Sequence, residues 1–189
     1  AHSCARLATG EVVCWGDNYN GQLGNGRRTD SADPVPTGIT DAVSISLGLS
    51  YSCAVLSGGR VQCWGRNDLG QLGNDSTDDS SVPTNAWGMT SASRVFCGSY
   101  SCCARNQNGS AKCWGDNSEG QLGVGDTNPR VRPVSVVGLS DVWELAVGGY
   151  HACATESDGT VRCWGKNDWG QLGDGTRISR DEPVELWHN

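Results

Sequence analysis

Ten cysteines are the most reactive side chains in this 189-residue chain, and their spacing is regular. Eight fall into pairs ten residues apart: Cys4 with Cys14, Cys53 with Cys63, Cys103 with Cys113, and Cys153 with Cys163. Thiols placed this way either oxidise to disulfides or ligate a metal. Zinc needs four converging ligands, and the chain contains no Cys-x-x-Cys pair to begin such a site. Dense, regular cysteines instead suit an oxidising compartment, so the pairs read as four disulfides in a secreted, extracellular protein. Cys97 and Cys102 stand apart from this series. Their five-residue spacing suggests a fifth disulfide; a free buried thiol or an intermolecular bond are the alternatives.

The remaining side chains assemble no reaction. Only His2, His151 and His188 could act as bases near neutral pH. No Ser–His–Asp arrangement is suggested. Asp75, Asp78 and Asp79 lie in a Ser/Thr-rich stretch and read as solvated turn residues, with a loop calcium site as the alternative. The four Gly-Gln-Leu-Gly blocks lack the lysine of a phosphate loop. No enzyme activity, metal or cofactor is expected. Two sequons begin at Asn74 and Asn108 and mark candidate glycosylation sites.

What positions these residues is an internal repeat. Cys-Trp-Gly recurs at Cys14–Gly16, Cys63–Gly65, Cys113–Gly115 and Cys163–Gly165. Each copy continues into x-Asn-x-x-Gly-Gln-Leu-Gly, with the blocks starting at Gly21, Gly70, Gly120 and Gly170. If Cys53 and Cys63 face each other in a hairpin, Val55 faces Val61 and a loop Ser57-Gly58-Gly59 remains. The same register in the other copies leaves Ala8-Thr9-Gly10, Gln107-Asn108-Gly109 and Ser157-Asp158-Gly159. All end in glycine, as a three-residue hairpin loop requires at its left-handed position. Facing cysteines in an antiparallel pair lie close enough for a disulfide.

A further strand precedes each hairpin, alternating with period two in Val43-x-Ile45-x-Leu47, Ser93-x-Val95-x-Cys97 and Trp143-x-Leu145-x-Val147. Pro-Val segments at Pro34-Val35, Pro133-Val134 and Pro183-Val184, with Val82-Pro83, mark an edge-like strand. Four such units, about 1–48, 49–98, 99–148 and 149–189, predict one all-β repeat domain of β-propeller blades. His2 and His151 fall at one repeat position, opposite Tyr51 and Ser101, as structural residues do. Cys97 and Cys102 replace Leu47/Val147 and Ser52/Ala152. Trp15, Trp64, Trp114 and Trp164 read as packing residues. Tyr19, Leu69 and Trp169 vary between copies and read as exposed partner-binding anchors.

The repeat resembles that of the regulator of chromosome condensation family over the whole chain. The carrying residues are His2-Ser3-Cys4-Ala5 and the Cys-Trp-Gly-x-Asn-x-x-Gly-Gln-Leu-Gly run. The resemblance implies a β-propeller, typically seven-bladed, that works through protein surfaces. Family members include a nuclear guanine-nucleotide exchange factor that binds chromatin and a secreted bacterial inhibitor of β-lactamases. The staple cysteines are unlike the nuclear members and similar to secreted bacterial ones. Nothing here matches the exchange factor's binding segments, so the fold transfers and that activity does not.

A net charge of −7 with scattered cations argues against nucleic acid and anionic membranes as partners. No apolar run is long enough to span a membrane. The expected function is a scaffold binding protein or glycan through blade loops. A structural reading is also open: the first unit lacks a leading strand and the last lacks a trailing one. The chain is then a piece of a larger propeller, an imperfectly closed ring, or the subunit of a homo-oligomeric ring or filament in which copies complete one another. Enzyme inhibition is the third reading.

Overall fold

The structure, a computed structural model, describes residues 1–186. It is all-β, with no helix among the described residues and hence none long enough to cross a membrane. Strands β1 (His2–Arg6), β2 (Val12–Gly16) and β3 (Ser31–Pro36) form a three-stranded sheet. The second sheet has four strands, β4 (Ala42–Leu47), β5 (Tyr51–Leu56), β6 (Val61–Gly65) and β7 (Ser80–Asn85). The third comprises β8 (Ala92–Cys97), β9 (Ser101–Asn106), β10 (Ala111–Gly115) and β11 (Arg130–Ser135). The fourth comprises β12 (Val142–Val147), β13 (His151–Glu156), β14 (Val161–Gly165) and β15 (Arg180–Glu185). Every sheet is an antiparallel meander in chain order. Strand β4 packs against β1 and β8, and β8 against β12, so the leading strands cluster at one common edge.

The central hairpins have the register that the turn glycines predict. Cys53 faces Cys63 and Val55 faces Val61. All four staples form, with Cα separations of 4.0–4.1 Å. Cys97 and Cys102 bond to each other, so no described cysteine is free. The sheets are offset from the sequence units. Each segment after a Pro-Val strand crosses over and begins the next sheet, so a repeat contributes to two sheets and ties them together.

One detail departs from the alternation. Each leading strand carries a β-bulge at its start, between Ala42 and Ser44, Ala92 and Arg94, and Val142 and Glu144. A bulge inserts one unpaired residue and re-aims its side chain. Ala42 and Val142 therefore point into the core, while Val43 and Trp143 are turned out to solvent. The period-two reading placed Val43 and Trp143 on the face of Ile45 and Leu145; the bulge breaks that phase.

The core lies in three layers, one between each pair of successive sheets. Val12, Leu23, Ile39 and Leu56 pack around Trp64 in the first. Tyr51, Val55, Leu72, Met89 and Val95 pack with Trp114 in the second. Leu122, Val136, Val142 and Leu145 pack with Trp164 in the third. A chain only 37% hydrophobic suffices because its core is divided into thin layers.

Each of these tryptophans is a latch between sheets. The indole Nε1 of Trp64, Trp114 and Trp164 donates to the backbone oxygen of Gln22, Gln71 and Gln121 in the preceding sheet's loop, at 2.8–2.9 Å. The last glycine of that loop lies against the ring. A Cβ on Gly73 would come within 2.9 Å of Trp114, and its φ of +65° is in the left-handed region. We expect Trp114→Ala to cost about 3–5 kcal/mol, the usual range for a buried tryptophan. Trp15 is only half-buried, so Trp15→Ala should cost clearly less. Urea unfolding of both variants checks the order.

Candidate functional site

The long loops joining the last two strands of each sheet gather at one end of the molecule. They are held from inside. Asn67 is fully buried, and its amide donates to Ser76 O, Asp78 O and Asn74 Oδ1 at 2.9–3.1 Å. Its Oδ1 accepts from Leu72 N at 2.9 Å. Asn18, Asn117 and Asn167 play the same part. The neighbouring glutamines close the loop's tip: Gln71 Oε1 accepts from Leu69 N, and Gln121 Oε1 from Glu119 N. The repeat motif shows that these residues recur. Their role as internal pins is visible only in the structure.

The pinned loops carry different side chains outward. Tyr19 is 78% exposed and Trp169 83% exposed, while Leu69 is half-buried. The position occupied by Leu69 leans on the following sheet, as Glu119 does when it meets Lys166 at 3.3 Å. Trp169 has no described sheet beyond it to cover it. Tyr100 and Tyr150, which the repeat pattern alone did not single out, pack together with ring centroids 5.6 Å apart and planes tilted by 39°. Lys166 sits 5.8 Å over the Tyr150 ring, and Asp168 and then Glu119 hold its ammonium above the usual range. Comparison of repeat positions could have found the tyrosines, since the second copy has Ser50 there. Arg66 and Asp68 form a bidentate pair nearby, which holds the Asp68 carboxyl below its ordinary value.

Among the described residues, the candidate chemical side chains do not converge. His2 Nε2 lies 2.8 Å from Ser52 Oγ. Burial, and then the N-terminal ammonium, lower its pKa. A Cβ on Gly148 would lie within 2.7 Å of the His151 ring, so that ring is a packing element. His188 lies outside the described residues. Asp75 pairs with Arg132, Asp78 accepts from Ser76 Oγ, and Asp79 accepts from Asn67 N, so the three carboxylates are spent on separate partners. Asn74 is half-buried with its Oδ1 engaged by Asn67, whereas Asn108 is exposed at its hairpin tip.

This architecture of meandering four-stranded sheets, latched through repeated loops, is that of a β-propeller. The regulator of chromosome condensation (RCC1) repeat pattern matches residues 58–105, 108–155 and 158–187. A second form of the same repeat matches 1–22, 42–71, 92–121 and 144–171. The chain belongs to the regulator of chromosome condensation repeat family. It is similar in structure to yeast RCC1 (Prp20) bound to Kap60, with a TM-score of 0.87 at 20% identity, over 100% of this chain and 47% of that one. It is similar to human WBSCR16, with a TM-score of 0.86 at 25% identity, over 99% and 51%. A second structure, Prp20p from Saccharomyces cerevisiae, gives 0.85 at 19% identity, over 100% and 49%. The chain thus spans about half the length of these proteins. No curated protein matches the sequence.

The fourth loop generates a pH prediction. Burial opposes ionisation of Asp174, but hydrogen bonds from Thr176, Arg180 and Asn167 outweigh it and hold its pKa at about 2. The side chain is 6% accessible. Because the folded value is depressed below the usual 3.8, the stabilisation is full above that value and fades as pH falls towards 2. Asp174→Asn should therefore be less stable than the parent near neutrality, with the difference shrinking in acid. Thermal unfolding between pH 7 and about 2 measures it.

Proposed function

We propose that this chain is a secreted, non-enzymatic scaffold that binds another protein through its loop face. The observation that carries the reading is a fixed frame bearing variable side chains. The buried asparagines recur in every copy and immobilise the long-loop backbones, while Tyr19 on such a loop, and Tyr100 and Tyr150 in the neighbouring turns before β9 and β13, stand at positions that differ between copies and that the frame does not need. Rigid loops presenting aromatic side chains lose little entropy on binding and supply the residues that dominate interfaces. Paired cysteines support an oxidising compartment. Packed histidines and dispersed carboxylates support the non-enzymatic part. The yeast relative was described with its binding properties to Gsp1p and histones, which supports protein partners in general.

The test is affinity capture from the extracellular fluid of the source organism, with a Tyr19→Ala/Tyr150→Ala double variant beside the parent. We expect a specific protein to bind the parent and to be lost by the variant. Equal capture by both, or no capture, overturns the loop face as the binding surface.

A second reading, assembly of copies end to end, is favoured by one observation. Gly73 and Gly123 are buried under the next sheet's tryptophan, whereas Gly173 is exposed and Trp15 is only half-buried among the described residues. In such an assembly Trp15 of one copy would lie on Gly173 of the next as Trp114 lies on Gly73. Light scattering decides it: particles at multiples of 19.9 kDa support assembly, and a single 19.9 kDa species refutes it.

A further inference from the structure

At the end opposite the long loops, beside the clustered leading strands, lies an open cavity of about 360 Å³. It is lined by Ser93, Arg94, Arg105, Trp143 and Glu144, from β8, β9 and β12. Its size is at the small end of the range for ligand sites, roughly 300–1,000 Å³. The bulge before Glu144 builds it by throwing Trp143 outward, where the indole is 67% exposed. The fold does not require an aromatic group there, since the equivalent residues are Val43 and Ser93.

The polar wall is equally particular to these two sheets. Arg94 Nη1 donates to Glu144 Oε2 at 2.9 Å and to Oε1 at 3.2 Å. The second copy has serine at this position, Ser44, and cannot form the pair. Arg105 replaces Val55 and Thr155 of the neighbours. Its Nε donates to Val142 O, and its Nη1 donates to Ser93 Oγ at 3.0 Å, so this guanidinium is held across the sheets. Arg94 and Glu144 are both exposed, and an exposed ion pair is worth little in itself. It can exchange its internal hydrogen bonds for bonds to a ligand at small cost.

The chemistry excludes the simpler ligands. A cation would gain from the indole and Glu144 but would face two guanidinium groups. A phosphate-like anion would gain from the arginines but would face the Glu144 carboxylate. A purely apolar ligand would strand the charged wall. What fits is a neutral ring with one apolar face and a rim of hydroxyls. The apolar face lies on Trp143, and the hydroxyls donate to Glu144 and accept from Arg94, while Ser93, whose hydroxyl is spent on Arg105 O, keeps the Arg105 guanidinium in place. We propose that this cavity is a carbohydrate-binding site for a neutral hexose unit of an oligosaccharide. It is independent of the loop-face reading, being at the other end of the sheets.

The test is titration of the intact, oxidised chain with neutral tetrasaccharides of glucose (α- and β-linked), mannose, galactose and N-acetylglucosamine, at millimolar concentration, followed by saturation-transfer NMR and calorimetry. At least one should bind. Trp143→Ala should weaken that binding by about tenfold or more. Glu144→Gln should also weaken it while leaving the thermal midpoint near that of the parent. Trp169→Ala, which removes an exposed indole at the other end, and the Tyr19→Ala/Tyr150→Ala double variant should bind as the parent does. Absence of binding across the panel overturns the proposal. So does unchanged affinity in Trp143→Ala, or a loss in Trp169→Ala equal to that in Trp143→Ala.

Discussion

The contact on which this molecule depends is a tryptophan of one sheet lying under the Gly-Gln-Leu-Gly loop of the sheet before it. A single four-stranded sheet buries little apolar surface on its own. Stacking sheets solves that only if each junction has one defined geometry. The indole supplies both requirements. Its rings bury a large apolar area against Leu72 and its neighbours, and its one polar atom must find an acceptor, which fixes the angle of approach. The acceptor is a loop carbonyl, so the position of a core residue is set by a loop rather than by another strand.

That requirement explains the sequence of the loop. For the carbonyl of Gln71 to meet Trp114, the loop backbone must be rigid, and a long loop is rigid only if its polar groups are satisfied internally. The buried Asn67 does this with several hydrogen bonds from one side chain. Gln71 and Gln121 also donate to Asp68 and Asp116. In the first copy the same glutamine, Gln22, finds no partner for its Nε2 among the described residues, and the second carboxylate oxygen of Asp17 lies toward the N-terminal ammonium. The glycines obey the same logic. A side chain at Gly73 would occupy the space of the indole. At Gly65 it would strike Ser50 O and Tyr51 Cα, which limits how closely the hairpin strands can turn.

Much of this was legible because the chain contains four versions of one solution. Hairpin register followed from the ten-residue cysteine spacing and the terminal turn glycine, two signals that had to agree. The disulfides followed from the register. The bulges were not legible. An alternating pattern such as Trp143-x-Leu145-x-Val147 looks regular whether or not an extra residue precedes it. Only the pairing of Val142 with Glu156 and of Glu144 with Thr155 shows that Trp143 is the extra one. Leu69 was misjudged for a related reason: its exposure depends on a neighbouring sheet, which no local pattern describes. Asn67 and Gln71 were visible as repeated letters, but a repeated polar residue reads equally well as a surface turn until its burial is known.

Within one chain, then, the repeats separate two kinds of position. Where all copies agree, the residue serves the latch: the tryptophan, the glycines that lie on it, the asparagine that stiffens its loop. Where they differ, the frame is indifferent and the side chain is free for other uses. Those free positions do not scatter evenly. They gather at one end of the sheets, around Tyr19 on a pinned loop and Tyr100 and Tyr150 in the turns before β9 and β13, and at the bulges of the leading strands, around Trp143, Arg94 and Glu144. Both are places where rigid backbone directs a side chain away from the core, which is the geometry recognition needs. An acidic chain gains nothing there from bulk charge. Its selectivity must come from shape and from a few directed polar groups, and the exposed indole beside a fixed arginine is where this structure concentrates them.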